Sequence, residues 1–84
     1  MLKNFIAWLE TQPPETEYEY ISNTDCLIAR FFRATGEPFE KVLGWSYVRP
    51  DGSEALISQE LTHACASEPL TYGDALARAR KVAQ

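Results

Sequence analysis

The chain changes its hydrophobic period several times, and each change marks an element. In "LKNFIAWLETQ" the apolar residues Leu2, Phe5, Ile6 and Leu9 recur at i, i+3, i+4 and i+7. That spacing places them on one face of a helix, which Trp8 widens. Pro13 and Pro14 end it, because Pro14 has no amide hydrogen and each proline disfavours helical backbone in the residue before it. The period then falls to two. In "ETEYEYI", Glu15, Glu17 and Glu19 lie on one side of an extended segment and Thr16, Tyr18 and Tyr20 on the other, which predicts an edge strand or an extended arm.

The helical period returns in "SNTDCLIARFFRATG". Ser22, Asn23 or Thr24 serves as N-cap, Gly36 as the C-terminal stop, and Leu27, Ile28, Phe31 and Phe32 as the buried face, with Arg30 and Arg33 pointing away. Two β-prone runs follow, Lys41 to Val48 and Glu54 to Ser58. The residues between them, Arg49-Pro50-Asp51-Gly52-Ser53, have the turn chemistry of a β-hairpin. Gly44, inside the first run, marks a bulge or a close backbone approach. "SQELTHACAS" sets Leu61, Ala64 and Cys65 at the spacing of a short helix. "LTYGDALARARKVAQ" reads as a longer one, with Thr71 and Asp74 as a capping box, a shared face of Tyr72, Ala75, Leu76, Ala79 and Val82, and cations near its C-terminus. The expected architecture is α+β, a two- or three-stranded antiparallel sheet packed against three or four helices in one domain spanning residues 1–84.

Charge sharpens this picture. The formal net charge is −4, and all of it resides in residues 1–25, where Glu10, Glu15, Glu17, Glu19 and Asp25 face only Lys3; the remainder of the chain carries seven charges of each sign. Such a balance excludes direct capture of nucleic acid or an anionic membrane, which need basic patches, and leaves a protein with a basic surface as the expected partner. The first helix is amphipathic and contains Lys3, Asn4 and Glu10, so it reads as neither a membrane span nor a secretory signal, and the expected location is the cytoplasm. Cys26 and Cys65 are then expected as reduced thiols. Two thiols and the single His63 cannot complete a four-ligand zinc site without carboxylates, so neither a structural metal nor a cofactor is expected.

Three stretches offer candidate chemistry. Asp25-Cys26 opens a helix, where the partial positive charge of the N-terminus stabilises a thiolate; cysteine hydrolases use such a position together with a base, for which His63 is the one histidine. Leu27-Ile28 follow the cysteine in place of the small residues that let a substrate approach, so Cys26 reads first as a core residue and the thiol enzyme as the alternative. The glutamates form the best surface candidate. On a strand they would recur about every 6.6 Å, a spacing of the same order as successive phosphates on a nucleic-acid strand, though charges on an edge strand also discourage aggregation. Trp45 and Tyr47, two apart, share a face that covers the core or forms an exposed anchor for self-association. No GxGxxG, Walker A, HExxH or GxSxG pattern occurs.

The span from Phe5 to Gly36, with "WLETQP", then "YEY", then "DC" opening a helix, resembles small uncharacterised proteins of bacteria and their phages. The resemblance covers the first half of the chain, implies a prophage or mobile-element setting, and carries over no catalytic residue. In size, acidity and lack of motifs the chain is similar to phage inhibitors of the anti-CRISPR kind, which bind a defence complex and occlude its basic nucleic-acid groove. The expected function is a non-enzymatic protein-binding module with Glu10, Glu15, Glu17, Glu19, Tyr18 and Tyr20 as its partner-binding residues.

Overall fold

The structure is a computed structural model that describes residues 1–20 and 22–83. The helical periods become α1 (Leu2–Leu9), α2 (Leu27–Thr35), α3 (Gln59–Ala66) and α4 (Tyr72–Ala83), and the β-prone runs become β1 (Lys41–Val42), β2 (Ser46–Val48) and β3 (Glu54–Leu56). The strands form one antiparallel sheet in the order β1-β2-β3. The α+β expectation holds, with the larger number of strands and of helices. Ile21 and Gln84, at the ends of the expected arm and last helix, lie outside the described residues.

The run from Lys41 to Val48 is two strands rather than one. Leu43 donates its amide to the Ser46 carbonyl at 2.7 Å, and Val42 pairs with Tyr47, so Gly44 and Trp45 are the two residues of a hairpin turn. Gly44 has φ of 94°, which a side chain would oppose; a glycine at the first central position is what a type II′ turn requires. Gly44 is therefore not a bulge. Trp45 sits at the tip of this turn, 71% exposed, while Tyr47 is buried, so the two do not share a face. The second hairpin turns where expected: Gly52 donates to the Arg49 carbonyl at 2.9 Å, Arg49 donates to the Ser53 carbonyl at 2.8 Å, and Asp51 accepts from the Ser53 amide. The Val42, Tyr47 and Ala55 side chains face the helices, and Leu56, on the opposite face of β3, is 85% exposed.

Local capping is only partly as expected. Thr71 Oγ1 accepts from the Asp74 amide at 3.2 Å and its hydroxyl donates to the Asp74 carboxylate at 2.5 Å, which is the capping arrangement of α4. Ahead of α2 the polar run forms a turn of its own. Ser22 Oγ accepts from the Asp25 amide at 3.0 Å, and Cys26, with no capping side-chain bond, becomes the N-cap. Arg30 and Arg33 lie off the buried face as expected, Arg33 exposed and Arg30 half-buried, but they are paired rather than free in solvent. Both fold back on Asp25, at 3.2 and 2.6 Å, and Arg30 also donates to the Tyr72 hydroxyl. Val82, assigned to the buried face of α4, is exposed, since the helix runs past the core before it ends.

Phe5, Leu9, Leu27, Phe32 and Leu61 are the largest fully buried side chains. Aromatic rings continue through the interior from Tyr18 to Tyr72, Trp8 and Phe31, then Phe32 and Tyr47, at centroid separations of 4.7 to 6.1 Å. Each neighbouring pair adds roughly 0.5–1.5 kcal/mol to the burial of its rings.

The segment after α1 is an arm, not a strand of the sheet. It runs antiparallel to the residues that open α4: Tyr18 donates to the Leu70 carbonyl at 3.0 Å, and Tyr72 and Gly73 donate to the carbonyls of Thr16 and Pro14, both at 2.9 Å. A Cβ on Gly73 would come within 2.9 Å of Pro14 Cβ and 3.0 Å of its carbonyl oxygen. Gly73→Ala should therefore destabilise the fold by about 1 kcal/mol, because overpacking against backbone outweighs the better helix propensity of alanine. Urea titration checks this; a raised midpoint would show that the contact between arm and helix is slack.

Candidate functional site

Tyr18 fixes the arm. Its ring is 4% exposed and stacks on Tyr72 at 6.1 Å; its hydroxyl donates to the Cys65 carbonyl at 2.8 Å and accepts from Arg78 at 3.1 Å. Arg78 also donates to the Ala64 and Pro69 carbonyls, so one guanidinium holds the end of α3, the loop before α4 and the arm together. With Tyr18 turned inward, the period of two turns Glu17 and Glu19 outward, and both are exposed. Tyr18 is accordingly removed from the partner-binding set: its hydroxyl is committed inside the protein and its ring is core.

The other assigned residues divide. Glu15 is exposed but lies in the turn at Pro13–Thr16, where Thr16 donates to the Pro13 carbonyl at 3.2 Å, so the regular spacing covers only Glu17 and Glu19. Tyr20 does not follow Tyr18 inward. The chain bends there, and Tyr20 is 45% exposed. Glu10 departs from the acidic set because Arg80 meets its carboxylate at 2.7 Å across α1 and α4. A glutamate the sequence did not suggest takes its place. Glu68 borders the same depressions as Glu17 and Glu19, because the arm lies beside the loop between α3 and α4. Among the described residues, Glu15, Glu17, Glu19 and Glu68 form no salt bridge, whereas Glu10 and Asp25 are answered by arginines.

Tyr20 also borders a cavity of about 210 Å³, lined with it by Ser22, Asn23, Cys26, Leu27, Ile28, Val42, Gly44, Thr62 and Cys65. Both cysteines are buried free thiols on its wall. Burial, with a smaller contribution from Cys26, pushes the Cys65 thiol up. His63 is exposed on α3 and does not line this cavity, and among the described residues it makes no hydrogen bond with either thiol. On a helix, residues two apart point roughly 200° away from each other, so Cys65 faces in and His63 out. The Cys26 and His63 pair of the thiol-enzyme alternative is therefore not assembled.

Among the described residues no three His, Cys, Asp or Glu side chains gather as a metal-holding group, and no helix is long and apolar enough to cross a membrane. No protein-family model, curated protein or solved structure matches the chain. The geometry itself is thus the ground for a functional reading.

Desolvation of the Tyr18 phenol pushes its pKa from 10.0 up to about 12. Below the unfolded value the phenol is protonated in both states; between 10 and about 12 only the unfolded chain releases the proton, so stability falls as pH rises through that window. The loss should be about 3 kcal/mol. Tyr18→Phe should remove this alkaline component and cost about 1–2 kcal/mol at neutral pH, because Arg78 and the Cys65 carbonyl lose a partner. Denaturant titrations at several alkaline pH values check both; equal slopes for the two proteins would show that Tyr18 ionises freely in the fold.

Proposed function

We propose that this protein acts by binding another protein, docking an acidic edge made of Glu15, Glu17, Glu19 and Glu68 onto a basic surface. The observation that supports the reading is that exposed carboxylates gather along the arm and the neighbouring loop and form no salt bridge among the described residues, whereas Glu10 and Asp25 are paired with arginines. Unpaired charges on one edge add to a local potential that steers an oppositely charged partner and raises the association rate. The partner of choice is a nucleic-acid-handling complex whose Lys and Arg side chains otherwise hold phosphate, so that the protein serves as a phage-type inhibitor of the anti-CRISPR kind, by occlusion and without catalysis.

A second reading rests on the sheet and its first turn. Trp45 in the turn between β1 and β2, at 71% exposure, and Leu56 on the edge strand β3, at 85%, offer apolar surface through which two copies could meet. Sedimentation velocity over a range of concentrations should then show a reversible dimer that Trp45→Ser with Leu56→Ser abolishes; a monomer at every concentration would dismiss it.

The acidic edge is tested with paired baits, wild type and Glu15→Gln/Glu17→Gln/Glu19→Gln, in bacterial lysate. Wild type should retain a nucleic-acid-binding complex that short duplex DNA displaces, and the variant should lose it. With the purified partner, the association rate should fall steeply with added salt and about tenfold or more in the variant. Retention of the same complex by both baits, or a salt-independent rate, would refute the proposal.

A further inference from the structure

Three depressions run on from one another along the arm. Glu17, Glu68 and Leu70 border the first, Glu19, Glu68 and Tyr20 the second, and Tyr20 also stands on the rim of the cavity of about 210 Å³ walled by Cys26, Ile28, Val42 and Cys65. An acidic trough and an apolar chamber therefore meet at one half-exposed tyrosine. Roughly 150 Å³ is enough to admit a benzene-sized group, so a leucine, methionine or phenylalanine side chain fits the volume.

We infer that trough and cavity together receive an extended partner segment of the pattern basic-x-basic-x-apolar, read in either chain direction. Its two cations lie over Glu17 with Glu68 and over Glu19, and its apolar side chain enters the cavity past Tyr20. The inference rests on the acidic edge being the docking surface and names the motif that edge selects.

Two features of the site decide the occupant. Extended chains turn every second side chain to the same side at about 6.6 Å, the period that sets Glu17 and Glu19 outward from this arm; residues 70–73 take one edge of the arm and Cys26 bridges it at Glu19, so a partner chain laid over its outer face presents cations in step with them. The carboxylates on the approach form no salt bridge among the described residues, so they are open to a cation-bearing chain and offer nothing to a neutral small molecule. The apolar residue then acts as the anchor of the interface, buried in a pocket and ringed by polar contacts.

The test titrates the full chain, by calorimetry and by amide chemical shifts, with the capped peptides Arg-Ala-Arg-Ala-Leu and Leu-Ala-Arg-Ala-Arg. At least one should bind, with shifts at Tyr20, Ile28 and Val42. Replacing its leucine by serine should weaken binding at least about tenfold, which is the cost of losing a buried aliphatic side chain. Glu17→Gln/Glu19→Gln should weaken it by a similar factor and flatten its salt dependence. Because both glutamates are exposed and the leucine change is made in the peptide, neither comparison depends on a variant that disturbs the core. Equal binding of the leucine and serine peptides would overturn the inference while leaving the acidic edge in place. Leucine-dependent binding that ignores the glutamine variant would overturn it together with the acidic-edge reading. Failure of both peptides at millimolar concentration would overturn it as well.

Discussion

The insertion of Tyr18 between α3 and α4 is the constraint on which the surface of this protein depends. A phenol buried without partners would cost free energy, and here the Cys65 carbonyl accepts its proton while Arg78 donates to its oxygen. The same guanidinium serves carbonyls at Ala64 and Pro69, so the arm, the end of α3 and the loop into α4 are fixed by one cation. From Tyr18 the aromatic contacts continue through Tyr72 and Trp8 to the helices at the centre. The outward direction of Glu17 and Glu19 is a consequence of that inward anchor.

Charge is distributed to the same effect. Glu10 bridges α1 and α4 through Arg80, and Asp25 gathers Arg30 and Arg33 at the start of α2, where they hold its carboxyl below the usual carboxylate range. These pairs are exposed and contribute little to stability. What they do is consume arginines. Arg78 is likewise engaged by the Tyr18 hydroxyl and by backbone carbonyls, so the edge bearing Glu17, Glu19 and Glu68 keeps carboxylates without a salt bridge among the described residues.

The features legible in the sequence were those set by neighbours a few positions apart. The periods of α1, α2 and α4, the Thr71 and Asp74 cap and the Pro50-Asp51-Gly52 turn are local, and each stands where its spacing placed it. Gly44 was visible as an interruption, but a bulge and a tight turn use the same residue, and only pairing of Val42 with Tyr47 distinguishes them. The site was legible in part. Alternation identified Glu17 and Glu19, whereas Glu68 joins them only because Tyr18 and Leu70 pair across the chain, and no local pattern announces that pairing. Removal of Glu10 and Tyr18 from the surface set has the same origin, since Arg80 and Arg78 reach them from the last helix.

The contacts that fix Tyr18 also have a bearing on the order in which the chain assembles. They span 47 and 60 positions, whereas the two hairpins close over a few residues. Joining distant segments forfeits more chain entropy than closing a short loop, and folds that depend on such contacts form more slowly. The sheet and individual helices can form while the arm is still free. The acidic edge is therefore complete only when the first quarter of the chain has met the last.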